Sequence, residues 1–76
     1  LITDHSEITE LSIHPNPVHN FLYIDTLKSF TDFLIIDTMG RTIKTGTTKN
    51  SIDVSKITSG IYFLNIGGQT FRVIKS

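Results

Sequence analysis

The sequence of 76 residues has no cysteine, so no disulfide, thiol nucleophile or cysteine-type zinc site is available to it. Tryptophan and alanine are also missing, and only two prolines are present. There is no excess of charge, since seven basic residues balance seven acidic ones. With no basic stripe, nucleic-acid binding by phosphate neutralisation is not expected, and neither is attraction to an anionic membrane surface. The longest apolar runs, such as Phe33-Leu34-Ile35-Ile36, are far too short to span a bilayer. Direct membrane insertion is therefore not expected. No charged-then-apolar signal peptide opens the chain. Because it begins with Leu1 rather than methionine, it reads as a piece cut from a longer protein.

What is present points to strands. The chain holds 12 Ile, 11 Thr and 3 Val, stiff β-branched residues that favour a pleated backbone, while the best helix former is absent. Short apolar segments recur near Thr9–His14, Asn20–Thr26, Asp32–Thr38, Arg41–Thr45, Ser51–Val54, Ile61–Ile66 and Gln69–Lys75, separated by turn residues. Gly67-Gly68 is the clearest turn, because two glycines supply the positive φ angles of a two-residue hairpin. Gly46–Asn50 reads as a loop. The spacing predicts an all-β domain, a seven-stranded antiparallel immunoglobulin-like β-sandwich. Leu1–Ile8 shows no clear alternation and reads as a linker tail.

Alternation predicts the two faces of each strand. Leu22, Ile24, Phe33, Ile35, Ile52, Val54, Tyr62, Leu64 and Ile66 point inward, and Leu11, Ile13, Ile43, Phe71 and Val73 complete the core. Leu34, Ile36, Ile61 and Phe63 then point outward. The third and sixth strands are neighbours in the expected order, so these four would form one apolar patch. Such a patch suits a docking surface for a larger apparatus or an adjacent domain, a weak homodimer, or cover by a loop or the tail.

The sequence offers little chemistry. His5 lies in the tail, while His14 and His19 flank a proline triplet, and no carboxylate is spaced to complete a metal site with them. No histidine lies near Asp53-Val54-Ser55 in sequence, and so short a sandwich has little room for a substrate pocket. No catalytic residue, cofactor or metal is expected. Carbohydrate recognition usually needs an exposed aromatic platform, and with no tryptophan and two tyrosines the composition speaks against it.

Three local motifs carry structure. Pro15-Asn16-Pro17 cannot be helical or sit in a paired central strand, and it reads as a stiff extended crossover that protects a sheet edge. In Asp37-Thr38-Met39-Gly40-Arg41, Asp37 can cap backbone amides and Gly40 can take a left-handed conformation. Gly60 followed by Tyr62 at a strand opening is the pattern of a tyrosine corner, whose hydroxyl bonds back to upstream backbone. Lys75 lies at the exit of the last strand, where fraying is expected to make loss of Ile74–Ser76 cheap.

The order of these motifs is more telling than any one of them. The proline triplet precedes Leu22-Tyr23-Ile24, then come Ile35 to Arg41 and Ile52 to Leu64, and Phe71-Arg72-Val73-Ile74-Lys75 closes the chain. Over about Leu11 to Ser76 this resembles the C-terminal sorting domain of type IX (Por) secretion substrates in the Bacteroidetes. His14 stands where the family commonly has an aromatic residue, and Ile36 where tyrosine is common. The resemblance implies residues 1–10 as linker from an upstream cargo protein and 11–76 as the sorting domain. It further implies passage through the periplasm and recognition by the outer-membrane machinery, with Pro15, Asn16, Pro17, Asp37, Gly40, Arg41, Gly60, Tyr62 and Lys75 as motif residues. A surface sortase then releases a secreted or surface-attached cargo. The competing reading is an immunoglobulin-like binding or spacer module for carbohydrate or protein.

Overall fold

β-Branched residues alternating along short segments set the architecture. The computed structural model describes residues 11–25 and 27–76. The expected tail over 1–10, His5 within it, the start of the Thr9–His14 strand and Thr26 lie outside the described residues. Among the described residues seven strands appear: β1 (Ser12–His14), β2 (Phe21–Asp25), β3 (Thr31–Asp37), β4 (Thr42–Thr48), β5 (Ser51–Asp53), β6 (Gly60–Ile66) and β7 (Gln69–Lys75). They form a three-stranded sheet in the order β1-β2-β5 and a four-stranded sheet in the order β4-β3-β6-β7, antiparallel at every strand pair.

The inner faces of the two sheets share one core. Leu22, Ile24 and Ile52 come from the smaller sheet, and Phe33, Ile35, Tyr62, Leu64, Ile66 and Val73 from the larger. Leu11 and Val54 are buried with them as expected, while Ile13 and Phe71 pack against the cluster half-buried. Gly67 and Gly68 both have positive φ, at 58° and 77°, and close the β6–β7 hairpin with Ile66 paired to Gln69.

Two expectations differ from the structure, and one core residue carried none. Ile43 is 40% exposed and not in the core. The register of β3 against β4 slips between Ile35, paired with Lys44, and Ile36, paired with Thr42, so Ile43 falls in a bulge. A bulge breaks the strict alternation on which the inward reading relied. The expected loop over Gly46–Asn50 is strand as far as Thr48, because Gly46 lies opposite Phe33. A β-carbon at 46 would stand 3.2 Å from Phe33 Cε2, so the bare backbone there makes room for the ring. Val18, unassigned by alternation, is fully buried.

Leu64, fully buried on the central strand β6, tests this core. Truncation of Leu64 to alanine should cost about 2–5 kcal/mol, which equals most of the net stability of so small a module. Ile43→Ala should cost under about 1 kcal/mol. Urea unfolding followed by circular dichroism measures both, and equal losses would contradict the assigned core.

Candidate recognition surface

Asn16 ties the start of the domain to its last strand. Its side-chain Nδ2 donates to the Arg72 carbonyl at 2.9 Å, and the Ile74 amide donates to its Oδ1 at 2.8 Å. One carboxamide thus meets the β7 edge as a neighbouring peptide group would. The Val18 amide donates to the Ile74 carbonyl at 2.8 Å, and the Ser76 amide donates to the Val18 carbonyl at 3.0 Å. Val18 and Lys75 form a parallel bridge. Pro15 and Pro17 lack N–H groups, so neither can extend the ladder, and the asparagine side chain takes that place.

The triplet is therefore not an extended crossover. Asn16 and Pro17 lie in a bend, and both the His14–Pro15 and Asn16–Pro17 peptide bonds are cis. The expected fraying of Ile74–Ser76 is also overturned, because backbone groups of Ile74 and Ser76 are bonded to residues 16 and 18. The Ser76 hydroxyl further sits 2.9 Å from His19 Nδ1.

The other motifs are built locally. Asp37 Oδ1 accepts from the amides of Met39 and Arg41, each at 2.9 Å, and Oδ2 accepts from Arg41 Nε at 2.8 Å. Gly40, at φ 84°, closes the turn by donating its amide to the Asp37 carbonyl. The Arg41 backbone bond, with the side-chain and Met39 bonds, holds the Asp37 carboxyl below the usual aspartate range despite opposing desolvation. The Tyr62 hydroxyl donates to the Thr58 carbonyl at 2.7 Å, as a tyrosine corner does, and Gly60 opens the same strand.

Antiparallel pairing brings these distant segments together. Asp37 pairs with Tyr62, and Gly60 pairs with Lys75, so the β3–β4 turn, the start of β6 and the end of β7 share one end of the larger sheet. The clasp of residues 16–18 meets β7 at that same end. A shallow hollow there is lined by Asp37, Met39, Arg41, Thr58, Gly60 and Tyr62.

The outward side chains lie beside it. Ile36 pairs with Phe63, which pairs with Arg72, and Ile61 pairs with Ile74. Leu34 is one pleat further along, opposite Asn65. Ile61 is exposed, and Leu34, Ile36, Phe63 and Ile74 are half-buried. Ile74 and Arg72 were missed, although the Gly67-Gly68 hairpin register places them opposite Ile61 and Phe63. Met39, the most exposed large apolar side chain here, carried no periodic signal because it sits in a turn.

Among the described residues no group of three His, Cys, Asp or Glu side chains could hold a metal ion. Residues 12–76 match the family model described as the secretion system C-terminal sorting domain. No curated protein and no solved structure matches the chain.

Two measurements check this geometry. Asn16→Ala should lower stability by about 1–3 kcal/mol through two lost hydrogen bonds, and should speed hydrogen exchange at the Ile74 amide more than at the Leu64 amide. Unchanged exchange at Ile74 would rule the clasp out. For Asp37, a depressed folded-state pKa means that its contribution is complete above the ordinary aspartate range, about 4, and is lost as pH falls below it. Asp37→Asn should flatten the acid limb of the stability profile and leave its slope near neutrality unchanged.

Proposed function

Because the chain belongs to the secretion system C-terminal sorting domain family, we propose that it directs an attached cargo protein across the outer membrane by binding the type IX machinery through the motif end of its larger sheet. The family makes it a C-terminal sorting signal, and that places the protein it serves outside the cell or on its surface. On this reading residues 11–76 are the sorting domain, residues 1–10 connect it to the cargo, and a surface sortase cuts upstream after export. The strand order, with β3 beside β6 and β1-β2-β5 opposite, supports an immunoglobulin-like sandwich in which β4 lies at the β3 edge.

The observation that carries the proposal is the gathering of the motif residues. Pro15-Asn16-Pro17, the Asp37–Arg41 turn, Gly60, Tyr62 and Lys75 come from four parts of the sequence and meet at one sheet end. Antiparallel pairing puts the last three of these segments at that end, and the Asn16 clasp on β7 adds the first. Beside them the patch of Leu34, Ile36, Ile61 and Phe63 supplies apolar area, with Arg72 at its border. A docking partner matched to this surface is apolar at its centre. The patch also fits a weak homodimer, which sedimentation detects as a concentration-dependent rise in mass.

The test is export of a periplasmic reporter fused ahead of residues 1–76 in a type IX bacterium. The intact fusion should reach the surface or the medium. Changing Ile36 and Phe63 together to threonine should leave the domain folded and reduce export at least about tenfold, since both side chains lie on the outer face. A folded double variant exported at the parental rate would remove the patch from the proposal. A folded parental fusion left wholly in the periplasm would remove the proposal itself.

A further inference from the structure

The outer face of the smaller sheet carries a second surface with a different chemistry. Phe21 and Tyr23 are adjacent outward residues of β2, exposed to 46% and 45%. His14, across from Tyr23 on β1, stacks on one face of the tyrosine ring with centroids 5.7 Å apart and planes 27° from parallel. His14 is held in turn, with Nε2 3.3 Å from Asp25 Oδ2, and that carboxylate also accepts from the Ser12 hydroxyl at 3.3 Å. On the opposite flank Tyr23 faces Ser51, and Phe21 faces Asp53, both on the edge strand β5. One flank of the tyrosine is thus filled by an imidazole, while the other overlooks small and polar side chains. Phe21, Tyr23, Ser51 and Asp53 make a shelf along β5 in which two exposed aromatic rings stand beside a hydroxyl and a carboxylate.

We infer that this shelf binds neutral hexopyranose chains, with the C–H face of a sugar ring against Tyr23 and Phe21 and its hydroxyls bonded to Ser51 and Asp53. Aromatic rings present an apolar, electron-rich face that suits the C–H side of a pyranose. Recognition of a small ligand needs only a few placed polar groups, and a braced ring loses little freedom on binding. Tyr23 is braced by a chain of contacts through His14, Asp25 and Ser12. Asp53 is also ordered, because Oδ1 accepts from the Ser55 amide at 2.9 Å and the Ser55 hydroxyl at 2.6 Å. Those bonds, the hydroxyl first, hold its carboxyl below the usual range, so it stays an acceptor across neutral pH.

The charge pattern selects among ligands. The face presents two carboxylates, Asp25 and Asp53, and the Lys44 ammonium is committed to the Asp53 backbone carbonyl at 2.7 Å. Acidic saccharides are therefore disfavoured. Both carboxylates already hold protein donors, which leaves directed acceptor positions better suited to hydroxyls than to a bare cation. A protein interface core tends to exclude charged groups, whereas here carboxylates stand directly beside the rings. Composition had argued against a carbohydrate platform, since tryptophan is absent. The fold assembles one from phenylalanine, tyrosine and histidine instead.

The inference does not depend on the export reading, and its test is a binding measurement on the isolated 76-residue chain. Isotope-labelled protein is titrated with cellohexaose, laminarihexaose, mannohexaose and maltohexaose, and amide shifts are followed by NMR. At least one should bind with an affinity of about millimolar, with shifts confined to His14, Phe21, Tyr23, Ser51 and Asp53. Tyr23→Ala should weaken it about tenfold, and Ser51→Phe should block the shelf without removing a ring. Both residues lie on the outer face, so both variants should keep the parental fold. No shift with any of the four sugars overturns the inference, and so does binding that both variants leave unchanged. Self-association in sedimentation that disappears in Tyr23→Ala would also overturn it, because the face would then be an interface between copies.

Discussion

The two hydrogen bonds between the Asn16 side chain and β7 set the form of this domain. They join residues 56 and 58 positions apart, and they occupy the edge of the strand that closes the larger sheet. An edge strand presents unpaired backbone groups that invite pairing with other chains. Here an asparagine between two prolines fills part of that edge with one side chain, and Val18, fully buried, continues the attachment. Burial of Val18 and order at Ile74 and Ser76 follow from that contact. So does the nearness of the chain's first motif to its last.

The fold was legible wherever its cause was local. Seven strands could be read from β-branched alternation, the β6–β7 hairpin from its glycines, and a bond from the Tyr62 hydroxyl to upstream backbone from Gly60 two residues before it, the acceptor proving to be Thr58. Misreadings came where a neighbour distant in sequence decided the outcome. Ile43 follows the alternation rule but lies in a bulge set by its register against β3. Gly46 looks like a turn residue, yet it is strand because the Phe33 ring needs the space above it. The Asn16 clasp had no signal, since nothing in residues 15–17 names Arg72 and Ile74 as partners. The same limit applied to the candidate surface: four outward residues followed from alternation, but their closeness to the motif end required the register.

The two outer faces of this thin module differ in kind. The larger sheet shows three aliphatic side chains and Phe63 with an arginine at their border, a surface fitted to apolar contact. The smaller sheet shows aromatic rings interleaved with carboxylates and hydroxyls, which fits donor-rich ligands better than a hydrophobic partner. A module whose inner faces are fully used by one core has only its outer faces and ends left for recognition. Here each face has a separate chemical character, so two partners could be held at once without competing for area.

The distance spanned by the clasp also bears on synthesis. A chain emerging from the ribosome presents Asn16 long before Arg72 and Ile74 exist, so Asn16 finds these partners only once β7 has been made. Before β7 exists the chain carries every upstream turn and most of the core, yet Val18 lacks its backbone partners at Ile74 and Ser76 and the β6 edge is open. Non-local closure is slow relative to local hairpins, so it comes late in folding as well as late in translation. Placing the stitch there makes the closed fold depend on β7 having been made, and a receptor that grips the stitched end would admit only molecules in which that strand is in place.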